Sequence, residues 1–189
     1  MLPLNVITPQ PYSADFLYPY GAGAKLSEQV WGGVALSDPS KGRATQLWTI
    51  SAADEYLVVS NTSGSQISLM TGVVESCSLA FDANMAPTIA YMQDGSAHLY
   101  YHDSYTNAWT TMDIAATSCL VRNDDVRDAV SAVSDCVFAY TLSDQLFYRV
   151  EREHYAVEHF VGAVPTGWVL AHMGPNRVGR FQFELRIAR

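Results

Sequence analysis

Short β-forming segments, each followed by a tight turn, recur along most of this chain and limit it to a β fold. The clearest run comprises residues 77–81, 88–92, 97–102 and 108–112, with Asp94-Gly95 as one of its turns. β-branched and aromatic residues favour strands, and an Asp-Gly pair favours a two-residue hairpin turn. Four strands joined in this way form an antiparallel meander, as in a propeller blade. The sequence therefore predicts an all-β fold of antiparallel meanders, propeller-blade-like or sandwich-like.

The same pattern returns about 48 residues later, a spacing within the range of propeller blades. The second copy comprises residues 118–121, 136–140, 145–150 and 155–160, with a turn at Ser143-Asp144. A shorter unit at 168–172 and 180–187 follows. Residues 31–189 are therefore predicted to form one β-rich domain of about two and a half blade-like repeats. Such repeats leave free strand edges, which must be covered or paired with another chain, so we expect other copies of the chain or other proteins as partners.

Residues 1–30 have a different composition and are predicted to form an extended N-terminal arm. They contain Pro3, Pro9, Pro11 and Pro19, which remove backbone donors and exclude the inside of a sheet or helix. Disordered tails contain few aromatic residues, whereas this segment is rich in them. The candidate partner-binding residues are Phe16, Leu17, Tyr18 and Tyr20. The arm either docks on a neighbouring subunit or folds back on its own domain, and the sequence leaves both open.

Charge and cysteine content exclude several classes of function. The net charge is −8, and no basic run provides the footprint that specific nucleic-acid binding needs. Charged residues make up only 16% of the chain, which indicates that part of its surface is covered by partners. No stretch is long and apolar enough to predict a membrane span. Cys77, Cys119 and Cys136 are either three free thiols or one disulfide and one thiol.

No motif for a phosphate loop, a nucleophile elbow, a zinc protease or a calcium loop is present, so we expect no cofactor, no metal site and no enzyme activity. The best candidates for acid–base catalysis are Glu151, His154, Glu158 and His159, which would make the chain a small hydrolase, the second alternative function. These residues also fit a solvated turn between two strands. We therefore predict no catalytic residues.

Four aromatic residues around one predicted hairpin give the first alternative function, a carbohydrate-binding module. Flat rings stack on sugar faces, and tyrosine hydroxyls add hydrogen bonds. The candidate glycan-stacking residues are Tyr100, Tyr101, Tyr105 and Trp109. The same residues also fit core and cross-strand pairs of a sheet.

Several segments resemble structural proteins of tailed bacteriophages. Residues 77–91 resemble a segment of the form LxFDxNxxPxxAY, and residues 99–103 resemble the segment LYWYD. Residues 134–140 and 146–158 resemble SDxxxFY followed by LYYRxQRDRFxxE. The resemblance covers roughly residues 46–160, and its motifs occupy predicted turn and core positions, so no functional residue transfers with it.

The resemblance implies a virion component of the tail or head-to-tail region, such as a ring or collar subunit, which assembles in the host bacterial cytoplasm. Its partners would be copies of itself and other virion proteins. A carbohydrate-binding, receptor-recognising module of a tail fibre is the alternative. Free cysteines suit the reducing bacterial cytoplasm, and symmetric contacts between subunits suit a chain with open strand edges.

Overall fold

The alternation of β-forming segments and turns gives a fold that is nearly all β, which confirms the predicted class. The computed structural model describes residues 30–35, 46–53, 56–61, 64–82, 84, 86–124, 135–176 and 180–188. Every strand pair in these ranges is antiparallel. Their one helical element is a short 3-10 helix, Glu151–Glu153. The predicted arm and its contact residues Phe16, Leu17, Tyr18 and Tyr20 lie outside the described residues.

The described strands form four sheets in chain order, here named A to D. Sheet A contains β1 (Val30–Ala35), β2 (Gln46–Ala53), β3 (Tyr56–Asn61) and β4 (Gln66–Met70). Sheet B contains β5 (Ser76–Phe81), β6 (Pro87–Gln93), β7 (Ser96–Asp103) and β8 (Ala108–Ala115). Sheet C contains β9 (Ser118–Asn123), β10 (Cys136–Leu142), β11 (Gln145–Val150) and β12 (His159–Ala163). Sheet D contains β13 (Trp168–Pro175) and β14 (Phe181–Ile187).

Sheets B and C repeat one another in detail. Both place a two-residue turn with positive φ at the same point, Asp94-Gly95 in sheet B and Ser143-Asp144 in sheet C. This backbone matches the twist of a hairpin. In both sheets the second strand is buried on both faces, which explains the nearly continuous apolar runs of β6 and β10. Sheets B and C therefore share their strand order and the position of this turn.

The four sheets stack face to face in chain order, and an apolar cluster fills each space between them. Trp48 and Ile50 of sheet A pack with Ile89 of sheet B. Leu99 of sheet B packs with Phe138 of sheet C. Leu146 and Ala139 of sheet C pack with Leu170 and Met173 of sheet D. Among the described residues, no such cluster joins sheet A to sheet D.

The first strands of successive sheets lie side by side, so β5 contacts β1 and β9, and β9 contacts β13. Hydrogen bonds connect them. The amide of Val121 donates to the hydroxyl of Ser78 at 2.8 Å, and the amide of Leu170 donates to the hydroxyl of Ser118 at 2.8 Å. The side chain of Asn123 bonds both the amide and the carbonyl of Phe81. The stack is therefore fixed by backbone-directed bonds as well as by apolar contacts.

The outer faces of the two terminal sheets carry several polar side chains. On sheet A, Thr49 and Ser60 share a hydroxyl contact of 3.2 Å and alternate with the core-facing residues of their strands. The same face of β3 also carries Tyr56, which is 48% exposed. On sheet D, the outer face of β14 carries Gln182, Glu184 and Arg186. Polar side chains on the end units of a repeat array help to keep it soluble.

Two predicted strand boundaries are wrong. The last strand of sheet C was predicted at residues 155–160, but β12 begins at His159, because Tyr155 has a φ of 53° and lies fully buried in a turn. The strand predicted at residues 168–172 is too short, because β13 continues to Pro175. A bulge after Leu170 lets that longer strand follow β14.

Candidate functional site

An aromatic group lies on the outer strands of sheet B. Tyr100 of β7 and Trp109 of β8 stack in parallel, with ring centroids 5.0 Å apart and 6° between the ring planes. They meet because Trp109 pairs with His102, and alternation puts Tyr100 and His102 on one face of β7. The ring of His102 meets the Trp109 ring edge-on at 5.4 Å. Trp109 is 43% exposed, so part of its ring reaches solvent.

Tyr105 lies in the turn between β7 and β8 and is 84% exposed. Its ring meets the ring of His154, which follows β11 in sheet C, at 5.5 Å. Asp103 fixes this turn by accepting a bond from the Tyr105 amide at 2.9 Å and another from the Thr106 hydroxyl at 2.9 Å. These bonds and the neighbouring His154 lower the pKa of Asp103. Contacts of His154 with Tyr105 and Asp103 therefore connect this turn of sheet B to sheet C.

Tyr101 lies on the other face of β7, away from the other three candidate glycan-stacking residues. It is buried in the cluster between sheets B and C, and its ring meets Tyr155 edge-on at 4.6 Å. Burial raises its pKa, and Asp103 adds to that effect. The structure therefore brings together Tyr100 and Trp109, places Tyr105 nearby at the surface, and separates Tyr101 as a core residue.

The four candidate acid–base residues each have a different partner. His154 bonds Asp103 at 3.2 Å, and His159 bonds Glu153 at 2.6 Å. Glu158 forms an ion pair with Arg149 at 3.2 Å. Glu151 accepts a bond from the amide of Cys136 at 3.2 Å. These residues do not converge on a common point in which a substrate would lie.

Arg149 organises the turn that follows β11. Its guanidinium donates to the carbonyl oxygens of Tyr155 at 2.8 Å and Ala156 at 3.2 Å, and to the hydroxyl of Tyr140 at 3.2 Å. The Tyr140 hydroxyl also donates to Glu158. Burial and this bond to the carboxylate raise the pKa of Tyr140. The arrangement satisfies the polar groups of a turn, so we assign Arg149 and Glu158 a structural role.

The carboxylates of Asp82, Asp135 and Glu151 lie close enough for their charges to affect one another. Asp82 accepts bonds from the amides of Asn84 at 2.8 Å and Ala86 at 2.7 Å. Asp135 accepts a bond from the Arg152 amide at 3.0 Å and pairs with the Arg152 side chain at 3.2 Å. Burial raises the pKa of Asp135. Burial and, second, the charge of Asp82 raise the pKa of Glu151 to about 7.

The described part of the chain gives little support to metal binding or to thiol chemistry. Within it, no three His, Cys, Asp or Glu residues are arranged to hold a metal ion. Cys77, Cys119 and Cys136 are buried free thiols, which agrees with the first of the two predicted alternatives. Burial raises the pKa of each, so their thiolate form is disfavoured.

Sequence reasoning missed the apolar surface at the outer side of sheets C and D. Phe160 of β12 is 60% exposed, and Val157 and Val161 beside it are exposed as well. Ile187 at the end of β14 is 63% exposed. The alternating Phe, Phe, Leu and Ile of β14 indicate a half-buried strand, but the pattern does not show which of these side chains stay exposed.

No family model matches this chain, and searches of curated proteins and of solved structures found no significant match. None of the helices among the described residues has the length and apolar character needed to cross a bilayer.

Proposed function

We propose that this chain is a structural subunit that acts by binding other protein subunits in the virion of a tailed bacteriophage. One observation carries the proposal: the outer strands of sheets C and D expose large apolar side chains, with Phe160 of β12 60% exposed and Ile187 of β14 63% exposed. Among the described residues, both strands lie at an edge of their sheet. Open strand edges of this kind are sites of pairing with other chains.

The role of the polar groups supports a mechanical function. Arg149, Glu158, Asp82 and Asp135 are engaged in bonds that fix turns, and the candidate acid–base residues do not converge. A catalytic site requires such groups to meet around a reacting atom. Under this proposal the chain holds other proteins in place and needs no catalytic group.

The virion setting rests on the resemblance to phage structural proteins. Its motif residues have structural tasks in this chain: Asp82 caps a turn, and Arg149 pairs with Glu158. Side-by-side first strands and face-to-face sheets are typical of propeller blades. Polar side chains on the outer faces of sheets A and D favour an open, blade-like stack. In such a stack, neighbouring proteins would bind along the strand edges.

Particle composition tests this function. Virus particles purified from cells that carry the gene should contain the chain in a fixed ratio to the other virion proteins. A chain that lacks residues 1–25 should unfold at the same denaturant concentration as the full chain but stay out of the particles. Absence of the full chain from particles contradicts the virion role, and entry of the truncated chain contradicts the role of the arm.

The stacked pair of Tyr100 and Trp109 supports a second candidate, a glycan-binding module. Trp109 offers part of its ring to solvent, and Tyr105 adds an exposed ring with a hydroxyl. Binding of the full chain to an array of bacterial surface glycans should be lost in Trp109→Ala and kept in Phe160→Ala, an exposed aromatic on sheet C. Equal binding by both variants, or none by the natural chain, removes this candidate.

A further inference from the structure

The charges of this chain are unevenly distributed along the sequence. Residues 44–121 contain seven Asp and Glu residues and no Lys or Arg. The rest of the chain contains twelve Asp and Glu residues and eleven Lys and Arg residues, so it is nearly neutral. Nearly all of the net charge of −8 therefore comes from the stretch that contains β2 to β8.

One face of the outer strand β8 is exposed along its length. Trp109, Thr111 and Asp113 lie on this face, because they alternate with the residues of β8 that pack toward sheet C, and all three are exposed. Tyr100, on which Trp109 stacks, packs against the cluster between sheets A and B, so the exposed face looks toward sheet A. Trp109 and Asp113 are four residues apart, which is about 13 Å along a strand. The face therefore presents an aromatic ring and a carboxylate in one row.

Trp109 provides the ring of this row. Tyr100 lies parallel to it at 5.0 Å and His102 meets it at 5.4 Å, so the indole is held in one orientation. The Trp109 side chain is nevertheless 43% exposed. An indole attracts a cation placed over its ring more strongly than the other aromatic side chains do, and arginine is the cation found there most often. The open part of the Trp109 ring is therefore suited to an arginine side chain.

Asp113 provides the charge of this row. Its carboxylate bonds the ring of His98 at 2.6 Å, which holds it in place, and its side chain is 66% exposed. The exposed Asp94, in the turn between β6 and β7, lies at the same end of sheet B and adds negative charge. The described residues of sheets A and B contain no Lys or Arg that would neutralise these carboxylates. The electrostatic field at this surface therefore favours a positively charged ligand.

We propose that the exposed face of β8 binds a segment of another protein that carries two arginine side chains, one stacked on Trp109 and one paired with Asp113. The proposal rests on the proposed function as a subunit that binds other proteins, and it names the chemistry of one partner. Trp and Arg are among the residues that contribute most to binding at protein interfaces. Charge favours this partner over a glycan, because a neutral sugar gains nothing from the excess of carboxylates and an acidic sugar is repelled by it.

Binding of a synthetic peptide to the full chain tests the proposal. The probe is an extended peptide of serine and threonine with two arginines four positions apart, and its control carries citrulline in place of both arginines. Citrulline keeps the shape of the arginine side chain without its charge. The full chain should bind the arginine peptide at low ionic strength and the citrulline peptide about tenfold more weakly. Added salt should weaken binding of the arginine peptide, because it screens exposed charges.

Substitutions on β8 separate the aromatic ring from its bulk and from the charge. Trp109→Leu keeps an apolar side chain without a ring and should weaken binding of the arginine peptide about two- to fivefold, whereas Trp109→Tyr should keep most of the affinity. Asp113→Asn should weaken binding by a similar factor, about two- to fivefold, because one ion pair is lost. Glu184→Gln is the matched control, because it removes the same charge from an exposed residue of sheet D, and its affinity should stay within about twofold of the natural chain.

Equal affinities for the arginine and citrulline peptides overturn the proposal, as does unchanged binding by both Trp109→Leu and Asp113→Asn. Binding of bacterial surface glycans but not of the arginine peptide also overturns it and supports the glycan-binding module. Entry into virus particles tests the proposed function separately. If the natural chain enters particles but does not discriminate between the two peptides, only this inference fails. Arginine-dependent binding by a chain that is absent from particles removes only the virion role.

Discussion

Sheet C has two neighbours, and its contacts with them differ. Its interface with sheet B contains fully buried aromatic side chains, among them Phe138, Tyr140 and Tyr155. Its interface with sheet D contains smaller buried side chains, such as Leu170 and Met173, together with the partly buried Phe183. The large and fully buried rings are therefore concentrated between sheets B and C.

The largest expected effect is a difference in the free energy of unfolding between variants at the two interfaces of sheet C. Phe138→Ala should lower the free energy of unfolding by about 3–5 kcal/mol, because it leaves a cavity between two complete sheets. Phe183→Ala should lower the free energy of unfolding of the isolated monomer by about half as much, because the Phe183 ring is already partly exposed. Urea titration at a concentration below assembly measures both. Equal losses would mean that the interface between sheets C and D is as complete as that between sheets B and C.

The second prediction concerns Glu151, one of the buried acids near the interface between sheets B and C. Glu151 has a pKa of about 7 in the folded chain and an ordinary value of 4.5 when unfolded. The folded state then holds the proton more tightly, so this stabilisation is present below pH 4.5 and is lost as pH rises through 7. Glu151→Gln should therefore raise the free energy of unfolding by about 1–3 kcal/mol at pH 8 and change it little at pH 5.

Denaturant titrations of both proteins across this pH range check the prediction. Gln keeps an oxygen for the amide of Cys136, so the comparison isolates the charge. A constant difference between the two proteins at all pH values would show that Glu151 is not the titrating group.

A smaller effect is expected for the bonds that connect the first strands. Ser78→Ala leaves the amide of Val121 without its acceptor, and Ser118→Ala does the same to Leu170. Each should cost about 1–2 kcal/mol, since a buried amide loses its partner. The exposed turn residue Ser104 is the control, and Ser104→Ala should stay within about 0.5 kcal/mol. If both serine variants match the control, these bonds do not hold the stack.

Local patterns predicted most of the fold. The turns at Asp94-Gly95 and Ser143-Asp144 carry residues that tolerate positive φ, and the strands on either side of them follow. The first strand was missed because Gly32 and Gly33 weaken its strand signal. The start of β12 was missed because only tertiary contacts, the burial of Tyr155 and its carbonyl bond to Arg149, hold a tyrosine at positive φ.

Site residues were harder to predict than strands. Strand alternation places Tyr101 on the face opposite Tyr100, but a group of aromatics around one hairpin does not show which face is core. The charged residues after β11 are close in sequence, which makes them candidates for one catalytic group. Their partner Asp103 comes from sheet B, whereas Arg149 and Glu153 lie beside them in the sequence, and the pattern did not show which side chains would pair.

Amide hydrogen exchange on β14 tests most directly whether other chains bind the outer strands of this molecule. At high protein concentration the amides of Phe183, Leu185 and Ile187 should exchange slowly, and at low concentration they should exchange fast. The amides of β10, a buried inner strand, should exchange at the same slow rate at both concentrations. Fast exchange of the three β14 amides at every concentration would contradict the account.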